Sequence, residues 1–201
     1  LVSSYISAAT KAKVTLVERH KMGGDCLNYG CIPSKTLIKS ATIAHQINNA
    51  EHYGFESGQL KLSFGKVMER IHQVITHIAP HDSQERYQSL GVEVLSGHAR
   101  FKDPWTIEIQ QDDGSSREIT SRSTIIATGA APVIPPLPGL DIVGYMTSET
   151  LWSELRHRSS PPNRLVILGG GAIGSELAQA FARLGSQVTQ IERAPRIMFR
   201  E

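Results

Sequence analysis

The chain has 201 residues, enough for one large domain or one and a half with a substantial core. Apolar residues make up 40% and charged residues 20%, and a formal net charge of +2 with no Lys/Arg run excludes the electrostatic footprint of a nucleic-acid or anionic-membrane binder. No apolar run approaches the roughly 18 residues of a membrane span, and Lys11 and Lys13 interrupt any signal-peptide core. Two cysteines do not make a secreted disulfide scaffold, which points to the cytoplasm, where a close cysteine pair is catalytic or metal-binding more often than a staple.

In chain order, residues 1–10 read as the rear of a helix, small and apolar with no capping residue ahead. Residues 14–17 form a short β-branched strand ending at Glu18, and Gly23-Gly24 leads into the cysteines. From Ser34 the period is helical, with Leu37, Ala41, Ala44 and Ile47 on one face. Phe64, Val67, Met68, Ile71, Ile75 and Ile78 mark a second, stronger helix checked at Pro80. A further helix spans 82–90, with Gly91 at its C-terminal end. The period then becomes two. Val92 and Val94, the run Trp105, Ile107 and Ile109, and the turn pair Asp113-Gly114 predict a small antiparallel meander, closed by a buried strand over 123–127. Pro132, Pro135, Pro136 and Pro138 mark a linker over 131–139. A helical piece over 148–158 and the Pro161-Pro162 pair precede a new buried strand over 164–168.

That strand runs without a gap into Gly169-Gly170-Gly171-Ala172-Ile173-Gly174, in which Gly169, Gly171 and Gly174 satisfy G-x-G-x-x-G. Such glycines serve a tight turn, close backbone approach to a pyrophosphate, and tight packing of helix on strand. A helix over 173–184 directs its positive end at the phosphate. Gly185 ends that helix, and a second strand over 187–191 carries Glu192 at its tip. The acid accepts hydrogen bonds from a ribose 2′-OH and repels a 2′-phosphate, which favours NAD; nearby Arg193 and Arg196 keep NADP open.

Gly23 to Lys35 is the other informative stretch: Cys26 and Cys31 are separated by Leu27-Asn28-Tyr29-Gly30 and followed by Pro33, Ser34 and Lys35. A distorted first helical turn brings such a pair within disulfide reach, whereas a regular helix does not. Pro33 suits a first turn, where its missing N–H costs nothing, and the free amides beside Cys31 favour a thiolate. Spacing alone leaves four readings open: a redox pair, two buried structural cysteines, a zinc site recruiting His20 or His45, and a structural disulfide.

The string from Gly23 to Lys35 resembles the redox-disulfide motif of the class I pyridine nucleotide-disulfide oxidoreductases, the family of dihydrolipoamide dehydrogenase, glutathione reductase and mercuric reductase. The resemblance extends in order along the chain: 14–18 is similar to the strand whose acid binds the FAD ribose, Ile125-Ile126-Ala127-Thr128-Gly129 to the second flavin motif, and 169–192 to the NAD unit. It implies an α/β fold of two Rossmann-like dinucleotide-binding units, the FAD unit carrying the β-meander and both units incomplete. Residues 1–145 would form the FAD-binding domain and 146–201 the first half of the NAD(P)-binding domain.

The resemblance also implies roles. Cys26 would be the interchange thiol and Cys31 the charge-transfer thiol. Lys35 would approach the flavin ring, with Glu176 paired to it. Glu18, Gly24, Asp25, Lys35, Ala99, Thr128 and Gly129 would contact FAD; Gly169, Gly171, Ile173, Gly174 and Glu192 would contact the nicotinamide dinucleotide. The implied activity is an NAD(P)H:disulfide oxidoreductase with FAD and NAD as cofactors, passing electrons to a disulfide, dithiol or metal-ion substrate. No resident metal site, nucleic acid or membrane partner is implied.

By the same resemblance the first FAD glycine fingerprint, roughly a dozen residues of strand and turn, lies before Leu1. The dimerisation domain with its proton-handling His–Glu pair lies after Glu201, so a homodimer is expected and these 201 residues alone are expected to be inactive. None of the eight histidines substitutes for that pair; His81 and His98 read as local surface or backbone residues. Tyr29 stands where the family commonly has a small or β-branched residue. The segments 78–83 and 170–181 lean towards the mercuric reductase-like branch. Two further readings stand beside the enzyme: a flavin-binding fragment without turnover, and a metal-thiolate binding protein.

Overall fold

The structure, a computed structural model, describes residues 1–56 and 61–199. In chain order its elements are α1 (Val2–Ala9), β1 (Val14–Glu18), α2 (Gly24–Asn28), α3 (Cys31–Asn48), α4 (Phe64–Ile78), α5 (Gln84–Ser89), β2 (Val92–Phe101), β3 (Thr106–Gln111), β4 (Ser116–Thr120), α6 (Leu140–Val143), α7 (Leu151–Glu154), β5 (Arg164–Leu168), α8 (Ala172–Arg183) and β6 (Gln187–Ile191). Short 3-10 turns follow α3 at Ala50–Tyr53 and α4 at Ala79–Asp82, the latter containing Pro80, whose missing N–H ends the α-ladder. The residues fall into two compact units, Leu1–Gly24 with Thr76–Ala131, and Asp25–Ile75 with Pro132–Glu201.

The first unit is a four-stranded sheet in the order β1-β2-β3-β4. β1 and β2 pair in parallel with Val14 opposite Val92 and Leu16 opposite Val94, so one face presents these apolar side chains together. Tyr87 of α5 and Ala8 of α1 pack on that face. At Gly97 strand β2 changes partner, from β1 through Ser96 to β3 from Gly97 onward. Gly97 has φ +154, and a Cβ there would lie 2.4 Å from the carbonyl oxygen of Gln110, so only glycine permits the handover. Beyond it the antiparallel meander expected from the period-two pattern is present, with turns tied by Asp103 (accepting from the Trp105 and Thr106 N–H groups) and Asp113 (accepting from Ser115). The cross-strand ion pair Arg100–Glu108 lies along it, and Arg117 of β4 pairs with Glu93 in the part of β2 that precedes Gly97.

The second unit holds the main core. Leu37, Ala41 and Ala44 of α3, Phe64, Met68 and Ile71 of α4, Leu151, Trp152 and Leu155 around α7, and Ala180, Phe181 and Leu184 around α8 form one buried cluster. The rings of Phe64 and Phe181 meet at 6.4 Å and 46°, a tilted aromatic contact. β5 and β6 pair in parallel on either side of α8, the strand–helix–strand unit expected around the glycine fingerprint.

Four expectations are corrected. The buried strand over 123–127 is not formed: the segment has no strand structure, and Ile125 and Ile126 are 66% and 71% exposed. A strand exists only where a neighbour takes up its N–H and C=O groups, and no described strand pairs there. β5 is not buried on both faces; Leu165 packs on the core while Val166 and Leu168 are exposed, because its sheet has two strands and α8 packs on one side. The helix over 148–158 contracts to Leu151–Glu154. Ile47 lies exposed near the end of α3, past the last residue of that helix in the core, Ala44.

Candidate functional site

The cysteine segment is built by a chain reversal at Gly30. The carbonyl oxygen of Asp25 accepts from the N–H of both Tyr29 (2.8 Å) and Gly30 (2.6 Å), which closes α2. The Gly30 carbonyl then accepts the first α3 bond from the Ser34 N–H at 3.0 Å. A Cβ on Gly30 would lie 3.1 Å from the Asp25 oxygen and 3.5 Å from Cys26 Cα, so the residue preceding Cys31 is folded back against Cys26. Cys31 is the first residue of an 18-residue helix, where unpaired N–H groups and the helix dipole favour negative charge. Both cysteines are exposed thiols, which removes the reading of two buried structural cysteines. Leu27 between them is buried and Pro33 behind them is fully buried, so the loop is rooted in the core while both cysteines are exposed. Among the described residues no group of three or more His, Cys, Asp or Glu is placed to hold a metal.

One turn into α3, Lys35 Nζ lies 2.6 Å from Oε2 of Glu176 on α8. Both side chains are about half exposed (59% and 43%), so the pair contributes little to stability. Its effect is positional: it joins the helix that begins at Cys31 to the helix that begins at the glycine fingerprint.

The three fingerprint glycines have distinct physical reasons. Gly169 has φ +112, a left-handed turn closed by its N–H on the Ile191 carbonyl (2.8 Å). A Cβ on Gly174 would lie 2.3 Å from the Gly169 oxygen, so this glycine lets α8 pack on the turn. Gly171 has an ordinary φ of −76, and a Cβ there would meet nothing within 4 Å. Its lack of a side chain is not required by the fold and leaves open space at the start of α8, the place where a pyrophosphate would approach the backbone. Ile173 projects into solvent beside it. Glu192 Oε2 accepts from the Gly170 N–H (2.6 Å) and Oε1 from the Ala194 N–H (2.7 Å). These amides, Ala194 first, hold its carboxyl below the usual glutamate range. The glycine loop and the acid are therefore one hydrogen-bonded assembly, completed by the Met198 N–H on the Gly170 oxygen at 2.7 Å.

The expected flavin-side residues belong mainly to the first unit. Glu18 ends β1, at the carboxyl end of a parallel strand, and its Oε1 accepts from the His20 N–H (2.8 Å). Ala99 lies in β2 opposite Ile109; Gly24 opens α2 with φ +59; Thr128 and Gly129 lie exposed in the irregular segment after β4. Asp25, in the second unit, supplies the carbonyl that closes the reversal at Gly30.

Two residues have no signal in the sequence pattern. Trp152, buried in the core, donates its indole Nε1–H to the Tyr29 carbonyl at 2.8 Å. His72 on α4 hydrogen-bonds the Trp152 backbone, and its Nε2 is buried without a hydrogen-bond partner among the described residues. Burial, then the Arg156 guanidinium, lowers the His72 imidazole below the ordinary histidine value. The unfolded chain therefore takes up a proton at a pH where the folded one does not. Stability is expected to be full above about pH 6.5 and to decline as the pH falls below it. Urea midpoints between pH 7.5 and 5 check this: the decline should be shallower in His72→Gln.

The family profile of the pyridine nucleotide-disulphide oxidoreductases matches residues 2–201. The chain belongs to that family. The chain is 36% identical over 197 residues to a mercuric reductase of Bacillus cereus, covering 98% of this chain and 30% of the relative. It is 37% identical over 199 residues to a dihydrolipoamide dehydrogenase of Chaetomium thermophilum, covering 95% and 38%. The crystal structure of LpdA from Mycobacterium tuberculosis is similar with a TM-score of 0.80 and 26% identity, over 96% of this chain and 42% of that one. A Cu(II) complex of the HOCl-induced flavoprotein disulfide reductase RclA from Escherichia coli gives 0.78 and 28%, over 100% and 41%. The chain thus spans between 30% and 42% of the length of these relatives. The family is FAD-dependent with NAD(P)H as electron donor, and the α/β fold seen here matches its Rossmann-like FAD-binding portion. No helix among the described residues is long and apolar enough to cross a membrane.

Proposed function

We propose that the chain is part of an FAD-dependent oxidoreductase in which electrons from NAD(P)H reach the Cys26–Cys31 pair and pass to a disulfide, dithiol or metal-ion substrate. The observation that carries this reading is the 2.6 Å Lys35–Glu176 pair, which ties the cysteine helix to the nucleotide helix within one compact unit. Bound FAD and NAD(P)H would supply two-electron transfer to the cysteine disulfide. Gly169, Gly171, Ile173 and Gly174 with the N-terminus of α8 would hold the dinucleotide phosphates, and Glu192 its ribose, which favours NAD. Glu18, Gly24, Asp25, Lys35, Ala99, Thr128 and Gly129 would hold FAD. Residues 1–145 would serve as the flavin domain and 146–201 as the start of the nicotinamide domain, in a cytoplasmic homodimer.

In the reduced pair Cys26 is the attacking thiolate. It displaces one thiolate from a substrate disulfide and forms a mixed disulfide; Cys31 then attacks the Cys26 sulfur, releases the second thiolate and closes the Cys26–Cys31 bond. Lys35, one turn along α3 from Cys31, is held by Glu176 and would be fixed in place towards the flavin.

The test is an anaerobic NADH titration of the full-length flavin-loaded protein, quenched with an alkylating agent. Two alkylated cysteines, Cys26 and Cys31, are expected after reduction and none in the oxidised protein. A pair whose alkylation does not change with NADH would sink the reading.

A further inference from the structure

We propose that Trp152 is a positioning residue for the cysteine pair, setting the stability of the Cys26–Cys31 disulfide through the Tyr29 carbonyl. The proposal rests on the redox reading above. Tyr29 lies at the reversal between α2 and α3, after the last residue of α2 and immediately before the N-cap of α3. The amides of Tyr29 and Gly30 are both committed to Asp25, and the Gly30 carbonyl to Ser34. The Tyr29 carbonyl thus marks the point where one helical ladder has stopped and the next has not begun.

It is met at 2.8 Å by an indole N–H from a residue 123 positions further along the chain. Trp152 is 4% exposed and packed in the same cluster as Leu37, Leu155 and Phe181. A donor fixed in a close-packed core cannot follow the loop, so the bond pins the reversal that folds Cys31 back towards Cys26. Unpinned, the reversal relaxes and the effective concentration of one thiol at the other falls. Disulfide formation, Cys26–SH + Cys31–SH + GSSG ⇌ Cys26–S–S–Cys31 + 2 GSH, then becomes less favourable.

The experiment equilibrates the full-length flavin-loaded protein with glutathione redox buffers, quenches with an alkylating agent and weighs the peptide carrying both cysteines. Trp152→Phe keeps an aromatic ring and removes the N–H; benzothienylalanine at 152 does the same with closer shape, should the phenylalanine variant fold poorly. Leu155→Ala weakens the same core and keeps the N–H. The expected result is an equilibrium constant lowered about tenfold in the Trp152 variants, about 30 mV in potential, and unchanged in Leu155→Ala. An unchanged constant in the Trp152 variants, or an equal shift in Leu155→Ala, would overturn the positioning role alone. A parent protein that forms no Cys26–Cys31 disulfide in any buffer would overturn the redox reading, and this inference with it.

Discussion

Cys31→Ser in the full-length flavin-loaded protein is expected to eliminate the long-wavelength charge-transfer absorbance that the proposed electron path predicts when NADH reduces the parent, and to lower turnover of a disulfide substrate by about a thousandfold or more. The reason lies in where Cys31 stands. It opens α3, at the positive end of an 18-residue helix, with Lys35 one turn away. A serine hydroxyl at the same point does not ionise near neutral pH and carries no polarisable anion to donate. Because Cys31 is exposed, the urea midpoint should move by no more than the equivalent of about 0.5 kcal/mol. Cys26→Ser separates the two thiols: the absorbance band should persist while disulfide reduction is lost. A band that survives in Cys31→Ser and disappears in Cys26→Ser would reverse the assigned roles.

The second large effect is a contrast between two fingerprint glycines. Gly174→Ala places a methyl group 2.3 Å from the Gly169 oxygen, so the turn must open. Both stability, by about 1–3 kcal/mol, and NADH affinity should fall. Gly171→Ala places its methyl group in open space with an unstrained φ of −76. Stability should stay within about 0.5 kcal/mol of the parent, while NADH affinity falls by roughly a hundredfold as the methyl group blocks backbone approach to phosphate. Calorimetric titration with NADH beside a urea melt reads both quantities. Unimpaired NADH binding in Gly171→Ala would show that the phosphates do not approach at the start of α8.

Local patterns were legible where the chain supplies its own partners. The β5–α8–β6 unit follows from an apolar strand, a glycine turn, a helical stripe and Gly185 in sequence, and all its groups are neighbours along the chain. The meander is equally local, since Asp103 and Asp113 each close their turn with residues two or three positions away. The 123–127 segment reads as a strand by composition but not by structure, because apolar β-branched residues state a preference and only a paired neighbour makes it a strand. Lys35 and Glu176 were joined through family resemblance; no spacing rule links residues 141 positions apart.

By itself the sequence determined the parts of this protein that depend on neighbouring residues: the cysteine spacing, Pro33 in a first helical turn, and the glycine fingerprint with Glu192 beyond it. It left the state of the cysteines open, since spacing suited buried thiols as well as exposed ones. Only the tertiary structure decided that both cysteines are exposed on a loop rooted by Leu27 and Pro33, and that the core reaches that loop through Trp152. The physical reason is that helix and turn signals act over a few residues, whereas the burial of a thiol or the partner of a loop carbonyl is set by whatever distant segment packs against it.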